Sequence, residues 1–379
     1  MHMGMCVVSL SDNAVVYQKN ADQLFTPAST LKTLTAIAAL YYLKPDFTFK
    51  TELLTDGAIH NNTLYGNLYL KGDGDPSLTV EHLEDLVKTV QSQGVTKIFG
   101  NLVLDNSCFD TVPFGPGWAW DDTPFSWNAP VDGINIQKNL ENKKPVAQPA
   151  VYAGQLLTNL LQTHNIGFTG SVVTQTSPAQ STALATHTSA PLSKLLEQVL
   201  SQSDNLYSDA IFKKMGSVFS NAPGSFTNGT QAVKHFLVKE LGFDKDECVV
   251  VDGSGLSRYN LISPNQIMNV LLWTAQSRYF DHFLNASAIA GQKGTLETRL
   301  LQRSGTIFAK TGTMSGISGL AGFMQTLDGK FYAFAFHLNG FVQPINKIAS
   351  TLGIPTFSSL NYDPKALLED ELCYYFAQN

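Results

Sequence analysis

The chain has 379 residues, 44% of them hydrophobic and 15% charged, with a formal net charge of −6. This composition supports a sizeable core, favours two domains over one and excludes a disordered chain. The acidic balance, without any block of basic residues, argues against nucleic acid and anionic membrane surfaces as main partners.

No run of eighteen apolar residues exists, so no transmembrane segment is expected. Met1-His2-Met3 reads as a remnant ahead of a trimmed mature chain, with no signal peptide in view. The eight histidines are scattered and form no His-Glu-x-x-His, so neither a metal nor another cofactor is expected. Cys6, Cys108, Cys248 and Cys373 show no C-x-x-C spacing and read as buried free thiols.

In chain order, residues 5–10 and 14–17 read as two strands joined by the turn residues Ser11-Asp12-Asn13. A helix follows, with Thr26 as its expected N-cap and Pro27 in its first turn, and with an apolar stripe through Leu34, Ile37, Ala38 and Tyr41. That spacing puts Ser29 in the first turn and Lys32 one turn later on the same face. From about residue 47 the texture changes to an α/β unit: a strand at 64–70, a helical stripe Val80, Leu83, Leu86, Val87 and Val90 that stops at Gly94, and a strand at 98–104. A loop rich in Trp, Pro and Asp spans 113–130, and a helix is expected near 152–163 with strand-like residues at 168–173. A second helical region starts near Pro191, breaks at 201–205 and resumes through 206–215. Strands are expected around 306–311, 319–326 and 331–338, the last two joined by Asp328-Gly329, and a final helix at 364–376.

Three short motifs carry the chemistry. Ser29-x-x-Lys32 is the only S-x-x-K, and Lys310-Thr311-Gly312 the only K-T-G or K-S-G. S-x-N occurs five times, at Ser11, Ser126, Ser203, Ser263 and Ser359. Ser203-Asp204-Asn205 is the copy that falls in a helix break between the other two motifs. In that order the trio is the signature of β-lactamases and penicillin-binding proteins. A serine hydroxyl becomes a nucleophile when a base takes its proton, and a lysine acts as that base once a nearby cation or burial lowers its pKa. Lys32 is the candidate base and Lys310 the candidate cation. Ser203 is then expected to relay a proton to the leaving amine, Asn205 to hold the substrate's peptide oxygen, Lys310 and Thr311 to bind a carboxylate, and the helix start at Ser29 to supply oxyanion N–H groups. Asp73, Asp75, Ser77 and Glu84 sit at calcium-loop spacing, but Leu78 stands at the required glycine, so turn structure is expected there.

Longer strings then resemble one family, the low-molecular-mass class C penicillin-binding proteins, D-alanyl-D-alanine carboxypeptidases and endopeptidases of the DacB type. They are Pro27–Lys32, Gly66-Asn67-Leu68-Tyr69-Leu70, Gly72-Asp73-Gly74-Asp75-Pro76, Trp118-x-Trp120-Asp121-Asp122, Ala129-Pro130, Val251–Arg258 and Gly294-Thr295-Leu296. The resemblance implies an α+β transpeptidase-like (β-lactamase-like) domain, an antiparallel sheet flanked by helices, built from 1–45 and 189–379. One α/β domain, 46–188, is inserted in it. It further implies acylation of Ser29 by peptidoglycan stem peptides or β-lactam antibiotics, the Thr313 N–H as second oxyanion donor, Asp121 or Asp122 reading the third stem residue, and a periplasmic location. The inner domain that the family often carries is read as missing near 140–147. The competing readings are a β-lactamase, disfavoured because no E-x-x-x-N lies between Asn205 and Lys310, and a catalytically silent peptidoglycan-binding protein, disfavoured by the intact motifs.

Overall fold

A computed structural model describes residues 1–342, apart from 245 and 327. The expected final helix at 364–376 and Cys373 lie outside the described residues. The chain divides into two compact units: 1–41 with 196–204 and 230 onward, and 42–195 with 205–229.

The first unit is built on a six-stranded antiparallel sheet. Its order is Ala288–Ile289, Ile307–Met314, Ile317–Gln325, Phe331–Asn339, His2–Ser9 and Val15–Lys19. The expected N-terminal hairpin forms because Asn13 takes a left-handed φ of 57° and Asp12 Oδ1 accepts from Ala14 N–H at 3.2 Å. Ile317–Gln325 is buried at all but its last position, as a central strand covered on both faces is, whereas the edge strand Val15–Lys19 is exposed throughout. One face packs Val7, Leu320, Met324, Phe334, Phe336 and Leu338 with Leu296 and Ile307 into an apolar cluster. The other face receives the helices: Phe280 and Phe283 of Phe280–Ala286 set their rings edge-on to Phe323, centroids 5.0 and 5.6 Å away.

Directly opposed residues on this helix-bearing face form a row across four strands: Gly4, His337, Gly319 and Gly312. A Cβ on Gly4 would meet Phe25 at 2.4 Å, one on Gly312 the Pro27 carbonyl oxygen at 2.8 Å, and one on Gly319 the Thr30 methyl at 3.0 Å. The segment 25–30 therefore lies on the sheet at backbone distance, which only a lane without side chains permits.

The second unit pairs a five-stranded sheet, in the order Val172–Thr174, Leu102–Asp105, Leu68–Lys71, Lys50–Thr55 and Thr182–Thr188, with a four-stranded one. The first three strands run parallel and the rest antiparallel. Helix Val80–Ser92 forms where the stripe predicts it. Thr79 caps it, accepting from His82 N–H while His82 Nδ1 accepts from Thr79 N–H. Leu83, Leu86, Val87 and Val90 pack with Leu157 and Leu161 of helix Pro149–Thr163 against Leu70, Leu102 and Leu104. Near 140–147 the chain makes a hairpin, Leu140–Glu141 with Lys144–Pro145, turned by Asn142 and Lys143 at φ 51° and 66°. The calcium-spaced carboxylates have protein partners: Asp73 pairs with Lys214, Asp75 accepts from Ser77, and Glu84 pairs with Lys88.

One expectation needs correction, and several elements were not expected. Thr26 caps no helix by its side chain: residues 28–31 form a 3-10 turn with Pro27 in the cap position, and the α-helix starts at Lys32. The strands Lys50–Thr55 and Thr182–Thr188 and the helices Phe226–Leu241 and Pro264–Gln276 are absent from the sequence reading.

Candidate active site

Ser29 sits half-buried in the 3-10 turn, after Ala28, whose φ of 49° is unusual for alanine and strains the backbone. The tight turn directs Ser29 toward the residue three positions on. Lys32 Nζ donates to Ser29 Oγ at 2.8 Å and to the Ser254 carbonyl at 2.7 Å, and Lys32 has no exposed surface. A buried amine at this distance can take the hydroxyl proton once it is neutral.

The Ser254 acceptor belongs to the loop Val251–Arg258, which a buried carboxylate organises. Asp252 accepts from Gly255 N–H at 2.9 Å, Ser257 N–H at 2.7 Å and Asn260 Nδ2 at 2.7 Å. The adjacent Gly253 carbonyl accepts from Thr35 Oγ1 at 2.7 Å, tying the loop to the helix that carries Lys32. Gly255, at φ 78°, would put a Cβ 2.0 Å from the Ala28 carbonyl oxygen, so only glycine fits. The sequence reads Gly253-Ser254-Gly255 as a loop beside the site, but the Ser254 carbonyl as the acceptor for Lys32 was not legible in the residues.

Lys310 lies on Ile307–Met314 with no exposed surface, its Nζ donating to the Thr311 carbonyl at 2.7 Å. Burial, then the Lys32 and Arg299 charges, hold Lys310 well below the usual lysine value. An anion bound beside Lys310 would act in the opposite sense and favour its charged form. Among the described residues the outer edge of Ile307–Met314 is paired, by the strand Ala288–Ile289, only at Phe308 and Ala309, so from Lys310 to Met314 that edge is open. Thr313, on that stretch, is exposed. Thr311 Oγ1 donates to Thr295 Oγ1 at 2.9 Å, and Thr295 N–H donates to the Ser201 carbonyl at 3.0 Å. That chain of bonds fastens the turn bearing Ser203 to the Lys-Thr-Gly strand. Ser203 itself is left-handed at φ 62°.

Asn205 opens helix Asn205–Ser220 in the second unit and donates Nδ2–H to the Trp127 carbonyl at 2.9 Å. Lys213 of the same helix holds the start of the aromatic loop, bonding Asp110 Oδ1 at 2.7 Å and the Val112 carbonyl at 2.6 Å. Asp121 is exposed and Asp122 half-buried on the 3-10 turn Trp120–Asp122, beside a Trp120 that is 86% exposed. The structure therefore brings Ser29, Lys32, Lys310, Thr311 and the Ser203 turn into one bonded assembly within the first unit, while Asn205, Asp121 and Asp122 belong to the second.

The sequence matches the D-Ala-D-Ala carboxypeptidase 3 (S13) family over residues 1–144 and 141–351. The chain belongs to that family. It is 30% identical over 414 aligned positions to D-alanyl-D-alanine carboxypeptidase DacB of Haemophilus influenzae, covering 90% of this chain and 86% of that one. The fold matches the crystal structure of penicillin-binding protein 4 (dacB) from H. influenzae with a TM-score of 0.89 at 28% identity, over 100% of this chain and 97% of the other. That protein's complex with a β-lactam matches with a TM-score of 0.83 at 27% identity, over the same shares. The expected antiparallel, helix-flanked fold is the one found, and family membership makes the chain a serine hydrolase of the D-Ala-D-Ala carboxypeptidase class.

Proposed function

We propose that the chain removes the terminal D-alanine from peptidoglycan stem peptides, and cleaves D-alanine cross-links with the same apparatus, through an acyl-enzyme on Ser29. The observation that carries this reading is the fully buried Lys32 amine at 2.8 Å from Ser29 Oγ. In the first half-reaction Ser29 Oγ attacks the carbonyl of the penultimate D-alanine while Lys32 takes the hydroxyl proton. The Ser29 and Thr313 N–H groups hold the resulting oxyanion. Ser203 passes a proton to the leaving amine, the C–N bond breaks, and D-alanine departs; water then reverses these roles and frees the acid. The open strand edge beyond Thr311 supports docking of the substrate backbone, and the buried Lys310 with Thr311 supports binding of its carboxylate, which favours the charged form of Lys310. Asn205 holds the peptide oxygen, and Asp121 or Asp122 reads the third stem residue. Penicillins acylate the same serine, a reading that the β-lactam complex of the H. influenzae relative supports.

We further assign 1–45 and 189–379 to one catalytic domain and 46–188 to a domain inserted in it, without the family's inner insertion. The two-residue turn at Asn142-Lys143, and a family match whose two stretches meet at 141–144, support the latter. The cell-wall substrate class assigns the enzyme to the periplasm; among the described residues no helix is long and apolar enough to cross a membrane.

Release of D-alanine from a peptide ending in D-Ala-D-Ala tests the reading. The purified chain releases it and Ser29→Ala does not, whereas a peptide ending in D-Ala-L-Ala stays intact. A chain that rapidly destroys penicillin but leaves the peptide untouched is a β-lactamase, and one inert to both is a binding protein.

A further inference from the structure

His337 is the one residue with a side chain beyond Cα in the cross-strand row Gly4, His337, Gly319, Gly312, over which the Ser29 turn is laid. Its Nε2 lies 3.0 Å from Thr30 Oγ1, and Thr30 is the residue after Ser29. The direction of that bond follows from proton counting. A threonine hydroxyl carries one hydrogen, and Thr30 spends it on the Pro27 carbonyl at 2.6 Å. The imidazole must therefore donate from Nε2, leaving Nδ1 bare and, among the described residues, without a partner. Phe25 flanks the ring at 5.9 Å between centroids and itself stacks on His2, while the opposed strand positions are the glycines. Burial alone holds the imidazole down at about 4, so it is neutral whenever the enzyme works.

The relay His337 Nε2–H to Thr30 Oγ1–H to Pro27 C=O closes a ring of bonds around Ala28 and Ser29. Ala28 holds the left-handed kink there, and Ser29 presents its hydroxyl to Lys32. Gly312 and Gly319 let the turn approach the sheet, but a lane of glycines gives it no lateral hold. His337 gives that hold.

We infer that His337 is a positioning residue for acylation, acting through the Thr30 hydroxyl to fix the Ser29 turn on the sheet. This rests on Ser29 being the acylated serine. A misplacement of an ångström at a reacting atom costs far more in rate than in binding, so the loss falls on the acylation rate constant and not on affinity.

The test measures the acylation rate constant and the binding constant separately, using a penicillin in stopped flow, with the titratable fraction of sites counted from the burst. His337→Leu and Thr30→Val are each expected to lower the rate constant by about tenfold or more with the binding constant within about twofold, the loss of one well-placed hydrogen bond. The double variant is expected to be no slower than either single one, because both break the same relay. His337→Gln, which can donate from a similar point, and Thr30→Ser, which keeps the hydroxyl, are expected to recover most of the rate. Sites that acylate at the wild-type rate in His337→Leu, or in Thr30→Val should the former not fold, overturn the inference. So do multiplicative losses in the double variant, or a failure of both Thr30→Ser and His337→Gln to recover the rate. If Ser29 is not the acylated residue, the wild-type adduct itself persists in Ser29→Ala, an outcome separate from all of these.

Discussion

Lys32 has no access to water, so its amine depends on acceptors the fold provides, among them Ser29 Oγ and the Ser254 carbonyl. Replacing it by Ala is predicted to slow penicillin acylation on the order of a hundred- to ten-thousandfold, the usual worth of a positioned base. Lys310 separates from it by substrate chemistry. Lys310→Ala is predicted to weaken binding of peptides with a free terminal carboxylate and to affect their C-terminal amides much less. Equal losses on acid and amide would mean that Lys310 acts chiefly by tuning Lys32. Asp252 is a third residue whose removal is informative, because three N–H donors lose a buried acceptor together. Asp252→Ala is predicted to cost about 2–3 kcal/mol in denaturant unfolding and to slow acylation, since the Ser254 carbonyl loses its placement. At this scale the Ser29–Lys32 contact was legible because three residues of helix or 3-10 turn bring side chains together in either geometry. The Ser254 carbonyl and His337 were not legible: a backbone acceptor leaves no trace in residue type, and a lone histidine in a strand has no partner until the sheet is assembled.

The element that sets the site is the 3-10 turn at 28–31 lying on the glycine row. A K-T-G glycine reads in sequence as room for substrate, but the atoms nearest its missing Cβ are Pro27 O, Thr30 N and the Thr30 methyl at 2.8, 2.9 and 3.0 Å. Gly312→Ala is accordingly predicted to push the turn off the sheet, costing roughly 1–3 kcal/mol of stability as an overpacked contact does. Acylation should fall with it, read as a lower denaturant midpoint and a slower burst. Helix Val80–Ser92 was legible because a stripe and a cap agree locally. The Thr26 cap failed because the left-handed Ala28 diverts the chain into a 3-10 turn first, a choice made by packing on the sheet. Strands Lys50–Thr55 and Thr182–Thr188 carry no clean alternation, since their register is set by pairing between segments far apart in sequence.

For the whole molecule, buried titratable groups set the response to acid. His337 is held at about 4 against an ordinary value of 6.5, so as pH falls between these the unfolded chain binds a proton that the fold refuses. Stability is predicted to drop by about 2 kcal/mol from pH 7 to pH 5 through this group, and His337→Phe to flatten that slope in urea melts. Asp75 and Asp132, both raised by burial, act in the opposite sense: their contribution is present in acid and lost as pH rises through their folded values.

The change of texture near residue 47 and the order of the three motifs were legible from the sequence alone. The membership of 205–229 in the second unit was not, because it depends on long-range pairs such as Lys213 with Asp110 and Lys214 with Asp73. All of the proposed chemistry stands on one covalent bond. Intact-mass analysis after penicillin treatment, followed by peptide mapping, should find a single adduct on Ser29 that is absent from Ser29→Ala; an adduct on Ser203, or one that survives in Ser29→Ala, would contradict it.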